Sequence, residues 1–423
     1  MPSRLSHFFC NLFSVFKKSA LFKRCGVTTL SSQLVLLIAM SVIAEESFGA
    51  MAIPISSQNS KEGESVDVII KVKDRYDRVT IYPLSTVENL NKVISEIHRF
   101  PENIEVHIRR QSAPDMRLDL KRNSMIIPKN FVKRYYMANG ESVVEKSDHL
   151  QPFCYYTGRV FDTINTSVSL TLCQGVAGII HNSRQNMLLK AMVGKRKVWH
   201  NLYEQSNEKE NRAMRCGNSD NEHFLSSKTR LAREVQPGAG HNISTRYIEM
   251  YLVVDEKLYR RSGSVDAAVQ RALSMANHVS VLYQKLNIYI AIVGVEVWNN
   301  GNKIIFPRAR NDLLKYNSSG INGVFLKYRF KEINKRTPND NAQLLVGVPL
   351  EGYTVGLAYL NGMCSRTISV GVTWDHDENN FLYSATVMAH ELGHNLGFLH
   401  SDSCHCPFEA GRRTCIMNSI VGN

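Results

Sequence analysis

Three histidines near the end of the chain have a spacing that suits metal binding. His390 and His394 are four residues apart, so on a helix their imidazoles lie on one face and can bind the same ion. Gly397 tolerates a positive φ and is expected to end this helix and reverse the chain, which brings in His400 as a third ligand. Three nitrogen ligands leave a fourth position open, which is typical of a catalytic rather than a structural zinc site.

Glu391 follows the first of these histidines directly, so its carboxylate is expected beside the metal rather than bound to it. Zinc lowers the pKa of bound water from about 15.7 to about 7, and a carboxylate can then take the proton and pass it to the leaving amine of a peptide. The alternative is a solvated helix with incidental histidines. Five fixed positions of uncommon residues match by chance only about once in 10^4 to 10^5 sequences. The pattern therefore predicts zinc-dependent peptide hydrolysis.

The residues that lead up to this helix alternate between predicted strands and helices. Apolar runs predict strands at residues 247–255, 288–298, 342–348 and 355–360. Ser264 is expected to cap a long helix after the first of these strands, and Asn379 or Asn380 to cap the histidine-bearing helix. This order of elements favours an α/β fold with a mostly parallel sheet flanked by helices.

Residues 51–205 form a second predicted domain, which is rich in strands. Period-two alternation of apolar and polar residues predicts strands at residues 66–72 and 167–172. Cys154 and Cys173 lie where a hairpin could bring them together. We therefore expect two folded domains in the chain.

Residues 206–241 are polar and charged, which is typical of an exposed linker between domains. They include the pattern Arg-Leu-Ala-Arg at residues 230–233, a minimal recognition site for a processing protease of the secretory pathway. Such a pattern is common by chance, but its position between two predicted domains favours cleavage at Arg233.

Residues 1–50 are predicted to be a leader. Basic residues precede an apolar run at residues 34–44, which is too short to cross a bilayer that needs about 20 residues but suits a secretory signal. Cleavage after Ala44 or Ala50 would remove the leader, and an uncleaved anchor or a misassigned start codon is the alternative. No later segment is long and apolar enough to span a membrane, so we expect a secreted, extracellular protein.

The composition agrees with an exported globular protein. The net charge of +13 comes in part from the basic leader, and no recognisable nucleic-acid-binding module is present, so we expect no nucleic-acid partner. Glycosylation sequons begin at Asn165, Asn242 and Asn317. Two of the nine cysteines lie in the leader, and the odd number that remains leaves one thiol to be explained.

The histidine pattern, followed by Met417 shortly after Cys415, resembles the metzincin metalloproteases and, within them, the reprolysin (adamalysin, or ADAM) family. The resembling segments are residues 247–255, 340–345, 362–365, 388–397 and 415–417. The resemblance implies a metzincin-type catalytic domain over residues 242–423, with a mostly parallel twisted sheet and an active-site helix, preceded by a β-rich propeptide domain. It also implies that Met417 packs beneath the zinc and that residues 357–360 form the strand edge along which an extended substrate aligns.

Two further metal-binding predictions rest on this resemblance. Arg215, Cys216 and Gly217 resemble the cysteine switch, in which a propeptide thiolate occupies the open zinc position and keeps the enzyme latent. A free or mispaired cysteine is the alternative. Glu249 and Asp340 match acidic positions that bind calcium in several relatives, and exposed carboxylates without a ligand are an equal alternative.

The sequence departs from the family pattern after the third histidine. Ser401 stands between His400 and Asp402, whereas relatives have Asp directly after this histidine, and the shift is expected to weaken the orientation of the ligand. The chain ends at Asn423, soon after Met417, where relatives continue with a helix. The catalytic domain is therefore expected to be incomplete at its C-terminus.

Together these patterns predict a zinc-dependent endopeptidase that is made as a latent precursor and hydrolyses extracellular or cell-surface proteins. A processing protease that cuts at Arg233 is the expected activator. Two alternatives stay open at this point. One is an inactive adhesion or decoy protein, against which the presence of Glu391 argues, and the other is a chain whose useful product is the propeptide domain. Membrane anchoring would need residues beyond Asn423.

Overall fold

The structure is a computed structural model that describes most of the chain after the predicted leader. The described residues are 63–73, 79–99, 102–146, 154–173, 175–181, 186–204, 215–218, 244–377, 380–401 and 416–420. The predicted leader at residues 1–50, the predicted processing site at Arg233 and the positions of Asn242, Asp402 and Cys415 lie outside them. Among the described residues, no helix combines the length and the apolar character that a membrane span requires.

The described residues form seventeen strands and six α-helices, numbered here in chain order. The strands are β1 Glu64–Lys73, β2 Val79–Pro83, β3 Asn103–Arg109, β4 Met116–Arg122, β5 Val132–Tyr136, β6 Ser142–Lys146, β7 Tyr155–Val160, β8 Ser167–Thr171, β9 Ala177–His181, β10 Asn186–Val193, β11 Val198–Glu204, β12 Arg215–Cys216, β13 Arg246–Val254, β14 Ile288–Val297, β15 Asn341–Val346, β16 Thr354–Ala358 and β17 Val370–Trp374. The helices are α1 Val87–Arg99, α2 Glu256–Ser262, α3 Val265–Gln284, α4 Ser318–Tyr328, α5 Asn334–Arg336 and α6 Leu382–Asn395, with a π-helical turn at Arg329–Ile333 between α4 and α5.

Nine of the strands form an antiparallel sheet, called here the N-terminal sheet, in the order β11-β10-β9-β8-β7-β4-β3-β1-β2. Pairing of β11 with β1 closes this sheet on itself. The predicted strands at residues 66–72 and 167–172 are confirmed as parts of β1 and β8. A disulfide joins Cys154 to Cys173 at a Cα–Cα distance of 5.1 Å, close to where the strand pattern placed the two cysteines.

The other eight strands form a mixed sheet, called here the C-terminal sheet, in the order β12-β16-β17-β15-β13-β14-β5-β6. Its centre is parallel, because β13 pairs in parallel with β14 and β15, and β15 pairs in parallel with β17. β16 runs antiparallel to β17. These strands and the helices around them confirm the predicted α/β fold, and β17 is a strand that the sequence patterns did not predict.

Two segments from earlier in the chain extend the C-terminal sheet at its two edges. The hairpin β5–β6 lies beside β14, with Val132 opposite Gly294 in a parallel register. The short strand β12 lies beside β16 at the other edge, also in a parallel register. The hairpin belongs to residues 51–205, which were predicted to form a separate domain, and it pairs with a strand of the predicted catalytic domain.

Helix α3 packs between the two sheets. It begins as predicted, because Ser264 Oγ accepts a hydrogen bond from the Ala267 N–H at 3.1 Å. Its apolar residues belong to one core that runs from the N-terminal sheet to α6. Buried polar residues of α3 also bond to residues from earlier in the chain: Asn277 Oδ1 accepts from Asn123 Nδ2 at 2.9 Å, and His278 Nδ1 lies 3.1 Å from Ser169 Oγ.

His278 should make the stability of the folded chain depend on pH. Burial, with smaller effects from His181 and Lys285, lowers the pKa of His278 to about 3. An unfolded histidine has a pKa of about 6.5, so its contribution to stability is complete above that pH and is lost as the pH falls from 6.5 towards 3. At pH 5 the loss is expected to be about 2 kcal/mol.

We therefore expect His278→Asn to reduce the acid sensitivity of folding. The free energy of unfolding, measured by urea titration at pH 7.5 and pH 5, should fall by about 2 kcal/mol less in this variant than in the original chain. The comparison uses the change with pH, so any constant cost of the substitution cancels. An equal fall in both proteins would contradict the expectation.

Candidate metal centre

Helix α6 carries two of the three predicted histidine ligands and the predicted general base. Phe381, and not Asn380, is the N-cap residue, and its side chain makes no capping bond. Asn380 Oδ1 accepts a hydrogen bond from the Leu382 N–H at 2.9 Å, so the helix begins close to the predicted position. Gly397 has a φ of 96°, which confirms the predicted reversal of the chain. His390 and Glu391 are fully buried, and His394 is 2 % exposed.

The imidazoles of His390 and His394 are fixed by backbone carbonyls. His390 Nδ1 lies 2.6 Å from the Ile416 carbonyl oxygen, and His394 Nδ1 lies 2.8 Å from the Phe398 carbonyl oxygen. A carbonyl oxygen can only accept, so both Nδ1 atoms carry the proton and both Nε2 atoms present a lone pair. The two Nε2 atoms are 3.0 Å apart. A cation between them fits this arrangement, because it would bind both lone pairs.

His400 and Cys216 complete a cluster of four donors. One donor atom from each of Cys216, His390, His394 and His400 lies within 4.8 Å of all the others. The sulfur of Cys216 is 3.4 Å from His394 Nε2. Three imidazoles and one sulfur are a donor set that suits tetrahedral zinc. The structure thus brings together the four residues that were predicted to bind zinc in the latent form.

Backbone pairing places the sulfur of Cys216 at this cluster. The Arg215 N–H donates to the Tyr353 carbonyl at 2.9 Å, and the Gly217 N–H donates to the Gly356 carbonyl at 2.9 Å. The Cys216 N–H donates to the Ser419 carbonyl at 3.0 Å. Residues 215–218 therefore occupy the free edge of β16.

The position of this edge partly corrects the sequence-based expectation. Residues 357–360 were predicted to form it, but β16 is Thr354–Ala358 and the pairing with residues 215–218 begins at Tyr353. Only Leu357 and Ala358 of the predicted segment lie in the strand. The carboxamide of Asn218 extends the pairing by donating to the Ala358 carbonyl at 3.0 Å.

Glu391 lies against the same strand. A methyl group added at Gly356 would lie 2.5 Å from Glu391 Oε1 and 2.7 Å from Val387 Cγ1, so the carboxylate reaches the strand only because residue 356 has no side chain. Burial raises the pKa of Glu391 to about 8, and the neighbouring Cys216 side chain opposes the shift. The carboxyl group thus lies beside Cys216 and is shielded from solvent.

A buried amide network that the sequence analysis did not assign holds the end of α6. Asn395 Oδ1 accepts from Asn341 Nδ2 at 2.7 Å and from Gln343 Nε2 at 3.1 Å, and Asn395 Nδ2 donates to the Tyr359 carbonyl at 2.9 Å. The Asn361 N–H donates to the His394 carbonyl at 2.7 Å, which satisfies one of the last carbonyls of the helix. Two amide residues on alternate positions of an otherwise apolar strand are the sequence signal for this network.

Met417 packs under the helix, as the resemblance implied. A methyl group added at Gly393 would lie 2.4 Å from Met417 Sδ, so the two residues are in close contact. The Ser401 N–H donates to the Met417 carbonyl at 2.9 Å, which ties the segment after the third histidine to this methionine. Beside it, Tyr283 Oη donates to the Ala389 carbonyl at 2.7 Å.

The pair predicted to bind calcium, Glu249 and Asp340, does not belong to this cluster. Asp340 Oδ2 accepts a hydrogen bond from the Glu249 N–H at 2.9 Å. Within the part of the chain that the structure describes, neither residue joins a group of three or more metal-binding side chains. Calcium binding by this pair stays a prediction.

Comparison with known protein families agrees with the C-terminal part of the structure. Residues 246–423 match the model described as Reprolysin (M12B) family zinc metalloprotease. The match contains the whole of α6 and all three clustered histidines. It begins at Arg246, the first residue of β13, so the N-terminal sheet lies outside it.

The contact between Gly393 and Met417 predicts that Gly393→Ala destabilises the fold. Overpacking costs about 1 to 3 kcal/mol, and the low end of this range is expected here because the atoms that must move are at the flexible end of the methionine side chain. Gly323→Ala is a matched control, since Gly323 lies in α4 and an added methyl group there has no neighbour within 4 Å. The control should be unchanged or more stable by up to about 1 kcal/mol. Urea unfolding of both variants tests this, and equal shifts in the two would contradict it.

Proposed function

We propose that this chain, whose residues 246–423 belong to the reprolysin family of metzincin metalloproteases, is the latent precursor of a zinc-dependent endopeptidase. The observation that carries the proposal is the convergence of three imidazoles and the sulfur of Cys216 within 4.8 Å. His390, His394 and His400 would hold the zinc, and the sulfur would occupy the fourth position. Such a site is complete but closed to water.

Glu391 is the residue that we assign to proton transfer. Zinc in a site of this kind lowers the pKa of a water molecule and polarises a peptide carbonyl. Burial alone favours the protonated form of Glu391, and the positive charge of bound zinc would favour the carboxylate. That carboxylate would accept a proton as water attacks the carbonyl carbon and would then donate a proton to the leaving amine nitrogen, so the peptide bond would break without an acyl intermediate on the protein. Its contact with Gly356 supports this role, because it holds the carboxylate between the histidines and the edge of β16.

The edge of β16 is the proposed binding position for the substrate. Residues 215–218 now lie there and hydrogen-bond to backbone carbonyls of residues 353, 356 and 358. An extended segment of a protein can make the same type of backbone contact once this segment has left. Extracellular or cell-surface proteins are the proposed substrates, since the family description concerns proteases and the first 50 residues suit a secretory leader.

Latency would follow from the position of Cys216. We assign residues 51–205 as the propeptide domain, residues 206–241 as the linker and residues 242–423 as the catalytic domain. Because Cys216 precedes Arg233 in the linker, cleavage after Arg233 would separate the Cys216 segment from the catalytic domain. A thiolate is a strong zinc ligand, and its removal would open the fourth position to water.

Replacement of the proposed general base should abolish hydrolysis and leave metal binding intact. For Glu391→Gln we expect peptide hydrolysis by the processed chain to fall by about 10^2 to 10^4-fold. Zinc content, measured by elemental analysis, should stay near one ion per chain, because the three histidines are unchanged. Removal of zinc by a chelator should abolish hydrolysis by the original chain, and zinc should restore it. A folded chain that takes up no stoichiometric zinc would contradict the proposal.

Replacement of the blocking sulfur should activate the uncut chain. If the sulfur is released in about 1 to 10 % of molecules, Cys216→Ala should raise hydrolysis by uncut protein about ten- to hundredfold. The double variant Cys216→Ala, Glu391→Gln serves as the control and should stay inactive, which excludes a contaminating protease. Unchanged activity of the single variant would show that Cys216 does not keep the chain latent.

A further inference from the structure

The hairpin β5–β6 binds the edge of the C-terminal sheet that lies farthest from Cys216. Val132, Lys133 and Arg134 pair in parallel with residues 294–296 of β14. Six steps between neighbouring strands separate β5 from β12, which corresponds to about 29 Å at a strand spacing of about 4.8 Å. Contacts at this edge are therefore independent of the zinc cluster.

Tyr136, the last residue of β5, is bound through each of its polar atoms. Its hydroxyl donates to Glu296 Oε1 at 2.6 Å. Its N–H donates to Asn299 Oδ1 and its carbonyl accepts from Asn299 Nδ2, both at 2.7 Å. The ammonium group of Lys303 lies 3.7 Å from the centre of its ring. All these partners belong to the C-terminal part of the chain, and only 8 % of Tyr136 is exposed.

The pocket around Glu296 is built from residues of the C-terminal part itself. The carboxylate accepts from Tyr251 Oη at 3.1 Å, from Trp298 Nε1 at 3.0 Å and from an Arg336 guanidinium nitrogen at 3.0 Å, and it is fully buried. These donors hold the carboxylate in place whether or not Tyr136 is present. The pocket thus presents an ordered, charged acceptor to a phenol hydroxyl.

Lys133 adds an ionic contact on the same strand. Its ammonium group lies 2.9 Å from Asp266 Oδ1 on α3 and 2.6 Å from Glu145 Oε2 on β6. Neither this contact nor those of Tyr136 involves residues 205–243, which contain the proposed processing site. A cut after Arg233 leaves every one of them in place.

We propose that the edge of β14 and the Glu296 pocket form a docking site for an extended strand that ends in tyrosine, and that this site keeps the propeptide domain bound after the linker is cut. The ligand is the chain's own segment Val132–Tyr136. Cleavage and release are then separate steps, and the cut protein stays a complex of two fragments until this strand leaves. The proposal rests on the processing at Arg233 that is part of the proposed function.

The test follows the two fragments after cleavage of the full chain after Arg233. In the original protein they should elute together in size-exclusion chromatography. Tyr136→Phe should release the N-terminal fragment about ten- to hundredfold faster, because a hydrogen bond to a buried charged acceptor is lost. Tyr135→Phe is the matched control, since the Tyr135 hydroxyl donates at 2.9 Å to Glu145 of the same hairpin and not to the C-terminal part. It should release the fragment at the original rate.

A synthetic peptide of residues 130–138 provides a second measurement that does not need a folded variant. Added to the cut protein, it should speed release of the N-terminal fragment, and the same peptide with phenylalanine at position 136 should do so at least about tenfold less effectively. Immediate separation of the original fragments, or equal release rates for the two variants, would overturn the proposal. Fragment release is read from size alone, so it stays measurable in the Glu391→Gln chain even if no hydrolysis is ever detected.

Discussion

The Nε2 atoms of His390 and His394 lie 3.0 Å apart, and the rest of the C-terminal half of the molecule depends on this constraint. Two lone pairs at that distance repel each other unless a positive charge lies between them. The carbonyls of Ile416 and Phe398 hold both rings in the tautomer that has its proton on Nδ1 and its lone pair on Nε2. The arrangement therefore suits a cation, and the hydrogen bonds to the two backbone carbonyls create it.

Holding the rings in this way requires a helix that cannot shift. Helix α6 is buried along its length, and the Asn395 network ties its end to β15 through Asn341 and Gln343. A second anchor is Asp375, a buried carboxylate that accepts from Ser384 of α6 at 2.8 Å and from an Arg271 guanidinium nitrogen of α3 at 2.8 Å. Buried polar networks of this kind favour one arrangement, because displacement of the helix would leave further buried groups without partners.

The local parts of this design could be predicted from the sequence. The spacing of His390 and His394, the positive φ of Gly397 and the cap at Ser264 each follow from a few neighbouring residues, and each was found in the structure. The α/β order of elements could be predicted for the same reason, since periodicity is a local property of the chain.

The pairing of β5 with β14 could not be predicted, because its residues alternate like those of any other strand in the same region. Register across more than 150 residues is set by contacts such as that between Tyr136 and Glu296, for which a single sequence carries no local pattern. The role of Asn395 was missed for a related reason. It stands among apolar and histidine residues on α6, while its partners lie on β15, more than 50 residues earlier.

Helix α3 meets the N-terminal half of the described chain through buried amide pairs as well as through apolar packing. Asn277 and Ser280 are buried there, and Asn277 bonds to Asn123 and to the Tyr156 carbonyl. Apolar residues of α3, among them Met275 and Val279, lie in the same hydrophobic core as Val168 and Leu170 of β8. Sliding α3 along the sheet would keep much of this apolar burial but would leave Asn277 without its partners. The amide pairs thus set the register of the helix on the sheet, which apolar packing alone would define less sharply.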